Sequence, residues 1–129
     1  MDTKYFEKIR IFDGGMGQEL LSKGLISKGT LWSASALIEK KFHKLVIDAH
    51  ISYINAGADV IVSNNFSARK IRFIQNKVLD KFQYANEQAG ILANKAREIS
   101  KQNILIAGSL PSQSDTYVED ERSSSEIQS

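Results

Sequence analysis

Residues 9–17 read Ile-Arg-Ile-Phe-Asp-Gly-Gly-Met-Gly. The apolar run predicts a buried strand, Ile9 to Asp13, whose last residue is a carboxylate. Gly14, Gly15 and Gly17 come directly after it and permit backbone conformations that other residues resist. A carboxylate before a glycine-rich turn, at the carboxyl end of a parallel strand, stands where α/β proteins place ligand sites. Asp-Gly can also close a two-residue hairpin, but a hairpin needs a second alternating strand. The next residues are instead Gln18-Glu19-Leu20-Leu21-Ser22-Lys23-Gly24, a short helical turn ended by glycine, so the sequence favours a βα loop.

Outward from this corner the pattern repeats. Residues 24–32 form a loop carrying Trp32, and Ser33 is placed to cap a short helix through Ile38. Val46, Ala49, Tyr53 and the flanking Ile47, Ile51 and Ile54 recur at helical steps over residues 43–56, with Gly57 at the position that ends a helix. Ala58-Asp59-Val60-Ile61-Val62-Ser63 is β-branched without alternation, as in a strand covered on both faces. It runs into Asn64-Asn65-Phe66-Ser67, then a helical patch to about Ile74. The longest helix is expected over residues 79–100, buried along Phe82, Ala85, Ala89, Leu92, Ala93, Ala96 and Ile99. A third strand, residues 103–109, ends in Gly108-Ser109-Leu110-Pro111.

The 129 residues are 42% hydrophobic and 25% charged, an ordinary globular composition sufficient for one core. A net charge of +2 implies no general attraction to nucleic acid or anionic membrane. Arg69, Lys70 and Arg72 cluster, but so few basic residues read as a solvated face. There is no apolar run near the ~18 residues of a membrane span and no secretory leader pattern, so a cytoplasmic protein is expected. The chain has no cysteine, which excludes a thiolate metal site or a cysteine nucleophile on these residues. His43 and His50 are seven apart, and without a third ligand nearby they read as packing or surface histidines. Residues 112–129, rich in Ser, Asp, Glu and Gln, are expected to form a loosely ordered tail with a helix starting near Ser123.

Strand, helices, strand, helices, strand is a parallel α/β order. Three strand ends carrying Asp13, Asn64 with Asn65, and Ser109 on one rim suit a (β/α)₈ barrel or a doubly wound sheet. The glycine spacing is not that of a dinucleotide fingerprint. The expected fold class is therefore α/β, the N-terminal part (about three β/α units) of a (β/α)₈ TIM barrel, a complete barrel needing ~250 residues.

Phe12-Asp13-Gly14-Gly15-Met16-Gly17, Leu31-Trp32-Ser33-Ala34, Ala56-Gly57-Ala58-Asp59-Val60-Ile61, Asn64-Asn65-Phe66 and Gly108-Ser109-Leu110-Pro111, in that order, resemble the homocysteine S-methyltransferase family. The resemblance implies a (β/α)₈ barrel that binds one zinc ion and moves a methyl group onto homocysteine from S-methylmethionine, betaine or a methylated folate. The partners it implies are homocysteine and a small-molecule donor, without nucleic acid or membrane. In the family, zinc holds the thiol as thiolate, the nucleophilic form, through three cysteines on later strands. The resemblance thus makes this chain an N-terminal portion, inactive alone, with the Zn2+ ligands beyond Ser129 and no catalytic residue within it.

By the same resemblance Asp13 accepts hydrogen bonds from the substrate ammonium and Gly14 and Gly15 lie close to the ligand. Asn64, Asn65 and Phe66 line its rim, and Trp32 borders the donor side. Ser63 and Asn65 stand where relatives carry threonine, and Ser112 stands where close relatives often carry a second proline. Two other functions are compatible with the residues. One is a (β/α)₈ phosphate-binding lyase or isomerase. The other is a zinc-free amino-acid-binding or interaction module without catalysis.

Overall fold

The computed structural model describes residues 3–27 and 29–111; the expected tail lies outside them. A 3₁₀ turn, Thr3–Glu7, leads into an extended segment and then helix α1, Met16–Ser22. A second 3₁₀ turn, Trp32–Ala34, runs into α2, Ser35–Ile38, and a third, Lys40–Phe42, into α3, His43–Asn55. Strand β1, Val60–Val62, precedes α4, Lys70–Gln75. A 3₁₀ turn at Leu79–Lys81 opens α5, Phe82–Ser100, and β2, Leu105–Ala107, closes the described chain. Ser33 lies inside its 3₁₀ turn and caps nothing with its side chain.

β1 and β2 pair in parallel, Ile61 opposite Ile106. The helical crossover between them is what parallel pairing requires. The segment before Gly14 joins the other edge of β1 through a parallel bridge from Phe12 to Val60. The Val60 amide donates to Ile11 O at 3.1 Å, and the Asp13 amide donates to Val60 O at 3.0 Å. The expected first strand is therefore reduced to a single bridge at Phe12, and the segment is not buried. Ile9 is 94% exposed and Ile11 56%, because among the described residues this segment has a neighbour on one edge only.

The core has two parts. Leu20, Leu37, Val46, Phe73 and Leu92 knit α1, α2, α3, α4 and α5 together. Ile54, Ile61, Ala93, Ala96 and Ile104 join α3 and α5 to the strands. α5 meets its neighbours through Ala85, Ala89, Ala93 and Ala96, whose small side chains let the backbones approach. Ile99, expected in the same stripe, is 60% exposed and falls in the last turn of the helix.

Three helices end in one hydrogen-bond pattern. After α1, Leu25 N donates to Leu20 O and Gly24 N to Leu21 O; after α3, Ala58 N donates to Tyr53 O and Gly57 N to Ile54 O. After α4, Val78 N donates to Phe73 O and Lys77 N to Ile74 O. This termination needs one residue in the left-handed region. Gly24 and Gly57 take it at φ +105° and +110°, whereas Lys77 takes it at +59°. A side chain there costs about 1 kcal/mol, so Lys77→Gly is expected to stabilise the chain by about that amount. Urea unfolding checks it: the midpoint rises at unchanged slope.

Candidate substrate site

The backbone turns away at Gly14, so the next ladder rung, from the Val62 amide, cannot reach the Asp13 carbonyl. The Asp13 side chain supplies the missing acceptor: Val62 N donates to Oδ2 at 3.0 Å. One bond thus fixes the carboxyl between two strand ends and leaves its other lone pairs available. Burial pushes its pKa above the ordinary carboxylate value, against the lowering effect of the backbone N–H groups of Val62 and of Asp13 itself.

Tyr53, on the last turns of α3, holds the glycine corner. Its hydroxyl donates to Gly15 O at 3.2 Å. A Cβ on Gly14 would lie 3.2 Å from both Cε1 and Oη of Tyr53, so the close approach of this ring explains a residue without a side chain at 14. Burial raises the Tyr53 pKa, and the charges of Glu19 and Asp13 add to it, which keeps the phenol a donor. In the sequence Tyr53 reads only as part of an apolar helix face. The available signal is its hydroxyl, since a buried tyrosine seeks a partner for its polar end.

Asp13, Gly14, Trp32, Asn64 and Phe66 line one cavity of about 270 Å³, with Met16, Gly17, Ser33, Val62, Ser63 and Ser67 completing its wall. Asp13 is the single charged group in that wall. Asn64, 4% exposed, donates from Nδ2 to Ser33 O at 3.1 Å and so ties the β1 end to the Trp32 turn. Trp32 has φ +53° and its ring is half exposed. A tryptophan in the left-handed region costs of order 1–3 kcal/mol and persists only when its surroundings impose it. Phe66 faces the same opening, 53% exposed. The wall is apolar with one anionic point, suited to a small molecule bearing an ammonium group.

The remaining expected residues lie elsewhere. Gly15 does not line the cavity, and its carbonyl accepts from the Tyr53 hydroxyl. Asn65 turns the other way, into a neighbouring cavity. It accepts from Ser63 Oγ at 2.7 Å and donates to Ser109 O at 3.1 Å and to Asn86 Oδ1 at 3.4 Å, linking the ends of β1 and β2. Arg69, expected on a solvated face, is instead 6% exposed.

No group of three potential metal ligands occurs among the described residues, and the chain has no cysteine. His43 bonds to Leu37 O at 2.8 Å and His50 is fully buried. These residues do not fit a zinc ion by themselves. No helix among the described residues is long and apolar enough to cross a membrane.

The family model described as Homocysteine S-methyltransferase matches residues 10–129. The Homocysteine S-methyltransferase of Escherichia coli (strain K12) is 31% identical over 115 residues, covering 81% of this chain and 35% of that protein. Homocysteine S-methyltransferase 1 of Zea mays is 39% identical over 64 residues, covering 50% of this chain and 19% of that protein. The chain thus spans about a third or less of these relatives. The crystal structure of the homocysteine methyltransferase MmuM from Escherichia coli, in its metallated form, superposes with a TM-score of 0.70 at 28% identity. It covers 84% of this chain and 40% of that one. With nearly its whole length matched by the family model, this chain belongs to the homocysteine S-methyltransferase family.

Proposed function

We propose that this chain supplies the amino-acid-binding side of a (β/α)₈ homocysteine S-methyltransferase, residues 1–129 forming the N-terminal portion of the barrel. The observation that carries the reading is the Asp13 carboxylate, fixed by Val62 as the single charge in a small apolar cavity. In this reading Asp13 accepts from the ammonium of homocysteine, and Gly14, Asn64 and Phe66 shape the space around it. Gly15 and Asn65 hold the loop and the strand ends in place. The exposed Trp32 ring offers its face to a positively charged methyl donor of the S-methylmethionine or betaine type; a methylated folate is the other donor class. The product is methionine and the compartment cytoplasmic.

No step in this reading runs through a metal on this chain. Zinc belongs with cysteines outside residues 1–129, where it would hold the acceptor sulfur as thiolate. The alternative is a zinc-free amino-acid-binding module, favoured by the absence of cysteine. Gene sequence beyond Ser129 separates the two: one cysteine followed later by an adjacent pair supports the enzyme, and a stop codon supports the module.

Calorimetric titration tests the shared core of both readings. Homocysteine is expected to bind at least tenfold more tightly than 4-sulfanylbutanoate, which keeps thiol and carboxylate but lacks the ammonium, since a charge-assisted hydrogen bond is worth about 1.5–3 kcal/mol. Equal affinities would remove Asp13 from the site.

A further inference from the structure

Trp32 lines the Asp13 cavity and also another of about 260 Å³, which it borders with Leu21, Leu25, Ser27, Gly29 and Thr30. Its ring is half exposed, so it takes its position from its backbone more than from packing around it. That backbone lies in the left-handed region, at φ +53°, which a residue with a side chain leaves unless its surroundings prevent it. The residues flanking Trp32 are therefore the informative ones.

After Trp32, the Ser33 carbonyl accepts from Asn64 Nδ2. Before it, Leu31 is buried and Thr30 is tied to the end of α4. Asn76 Nδ2 donates to Thr30 Oγ1 at 2.8 Å and to Arg72 O at 2.7 Å, and Thr30 Oγ1 donates to Gln75 Oε1 at 3.4 Å. Gly29 suits the same contact: it has φ +52°, and a Cβ there would collide with Asn76 Oδ1. Asn76 is the C-cap of α4, its own amide bonded to Arg72 O, so the support comes from a helix end. Two asparagines on separate segments thus hold the strained residue from both sides. Asn64 belongs to the wall of the Asp13 cavity, whereas Thr30 and Asn76 line no part of it.

We propose that Asn76 and Thr30 are positioning residues for the methyl donor, acting through Trp32. The inference rests on the reading above, in which Trp32 presents its face to a cationic donor. A cation–π contact needs the cation over the ring face, so a ring free to turn must be ordered at binding. The Thr30–Asn76 clamp orders it beforehand. Homocysteine, held at Asp13, does not depend on that clamp.

Trp32 is the single tryptophan of the chain, so its fluorescence reports the clamp directly. Thr30→Val keeps the shape of the side chain and removes the hydroxyl. It and Asn76→Ala are each expected to enlarge the fast component of the anisotropy decay, and Thr30→Ser, which retains a hydroxyl, is not. The double variant should match the single ones, because the same bond is lost in all three. In calorimetric titrations of the full chain, Thr30→Val and Asn76→Ala weaken S-methylmethionine about three- to tenfold and leave homocysteine unchanged. Thr30 is exposed, so its variant tests the clamp even where Asn76→Ala disturbs the end of α4. Unchanged anisotropy in both single variants overturns the proposal. So does donor affinity that is absent in the wild type or indifferent to a freed ring, or an equal loss of donor and homocysteine. Trp32→Leu separates this failure from that of the reading beneath it. If it binds the donor as the wild type does, Trp32 is no donor surface; if it alone loses the donor, that surface stands and only the clamp falls.

Discussion

Asp13→Asn is expected to weaken homocysteine binding about 10- to 100-fold while leaving the ligand-free chain as stable as before, or more so. The substitution keeps the shape of the side chain and an oxygen able to accept from the Val62 amide, so the corner stays where that bond places it. What disappears is the negative charge facing the cavity. A hydrogen bond to a charged group is worth about 1.5–3 kcal/mol, and each 1.4 kcal/mol is a factor of ten in affinity. The effect on stability has the opposite sign. Burial raises the Asp13 pKa, so the folded chain favours the protonated carboxyl. The stabilising contribution of that preference is complete below the unfolded carboxylate value and is lost as pH rises through the raised folded value. At neutral pH the ionised group is therefore a cost, which the neutral amide removes. Wild-type affinity for homocysteine should also fall as the medium is acidified through the Asp13 titration, with the Asn variant flat across the same range. Calorimetric titration and scanning calorimetry on both proteins read these effects. A lowered melting temperature in the variant, with homocysteine affinity unchanged, would make Asp13 a structural residue.

The opposite signs explain how much of the site was legible in sequence. A carboxylate at the end of an apolar run and before three glycines is locally inconsistent, since neither strand nor helix favours it there. Such inconsistencies are what a binding site leaves in a sequence. The α3 periodicity with Gly57 behind it, and the alanine-rich face of α5, were legible because one element decides them: helical spacing and a left-handed terminus need no knowledge of partners. The exposure of Ile9 and Ile11 was not legible, because burial of a strand depends on what covers it. Asn64 and Asn65 look alike in sequence, and the irregular turn that follows β1 places them against different cavities, so only the three-dimensional path of the chain separates a wall of the first from a brace between β1 and β2. Arg69 misled for a related reason: which of three basic residues in four positions is buried depends on the fold around them. The left-handed Lys77 was invisible because lysine carries no signal for that conformation, whereas Gly24 and Gly57 do.

His50→Leu carries the other large expectation, a change in the pH dependence of stability. His50 lies on α3 with 0% exposure, and neither ring nitrogen has a hydrogen-bond partner among the described residues. Burial lowers its pKa from 6.5 to about 4. The folded chain therefore holds the imidazole neutral where the unfolded chain takes up a proton. The resulting stability is present at pH 7 and is lost as the pH falls from about 6.5 towards 4, where the loss reaches about 3 kcal/mol. Leucine has no proton to gain, so the stability of the variant minus that of the wild type should widen by about that amount between pH 7 and pH 4. Taking the difference cancels the titration of Asp13 and the other carboxylates, which both proteins share. At pH 7 the variant should already be the more stable, since a buried unsatisfied polar group costs about 1–3 kcal/mol and leucine fills comparable space. Urea unfolding at a series of pH values measures both quantities. Parallel profiles for the two proteins would mean that the imidazole titrates alike folded and unfolded, which requires a partner for its nitrogens; a destabilised variant at pH 7 would say that this partner matters to the fold. Either result would move His50 from a tolerated core histidine to a group the architecture uses.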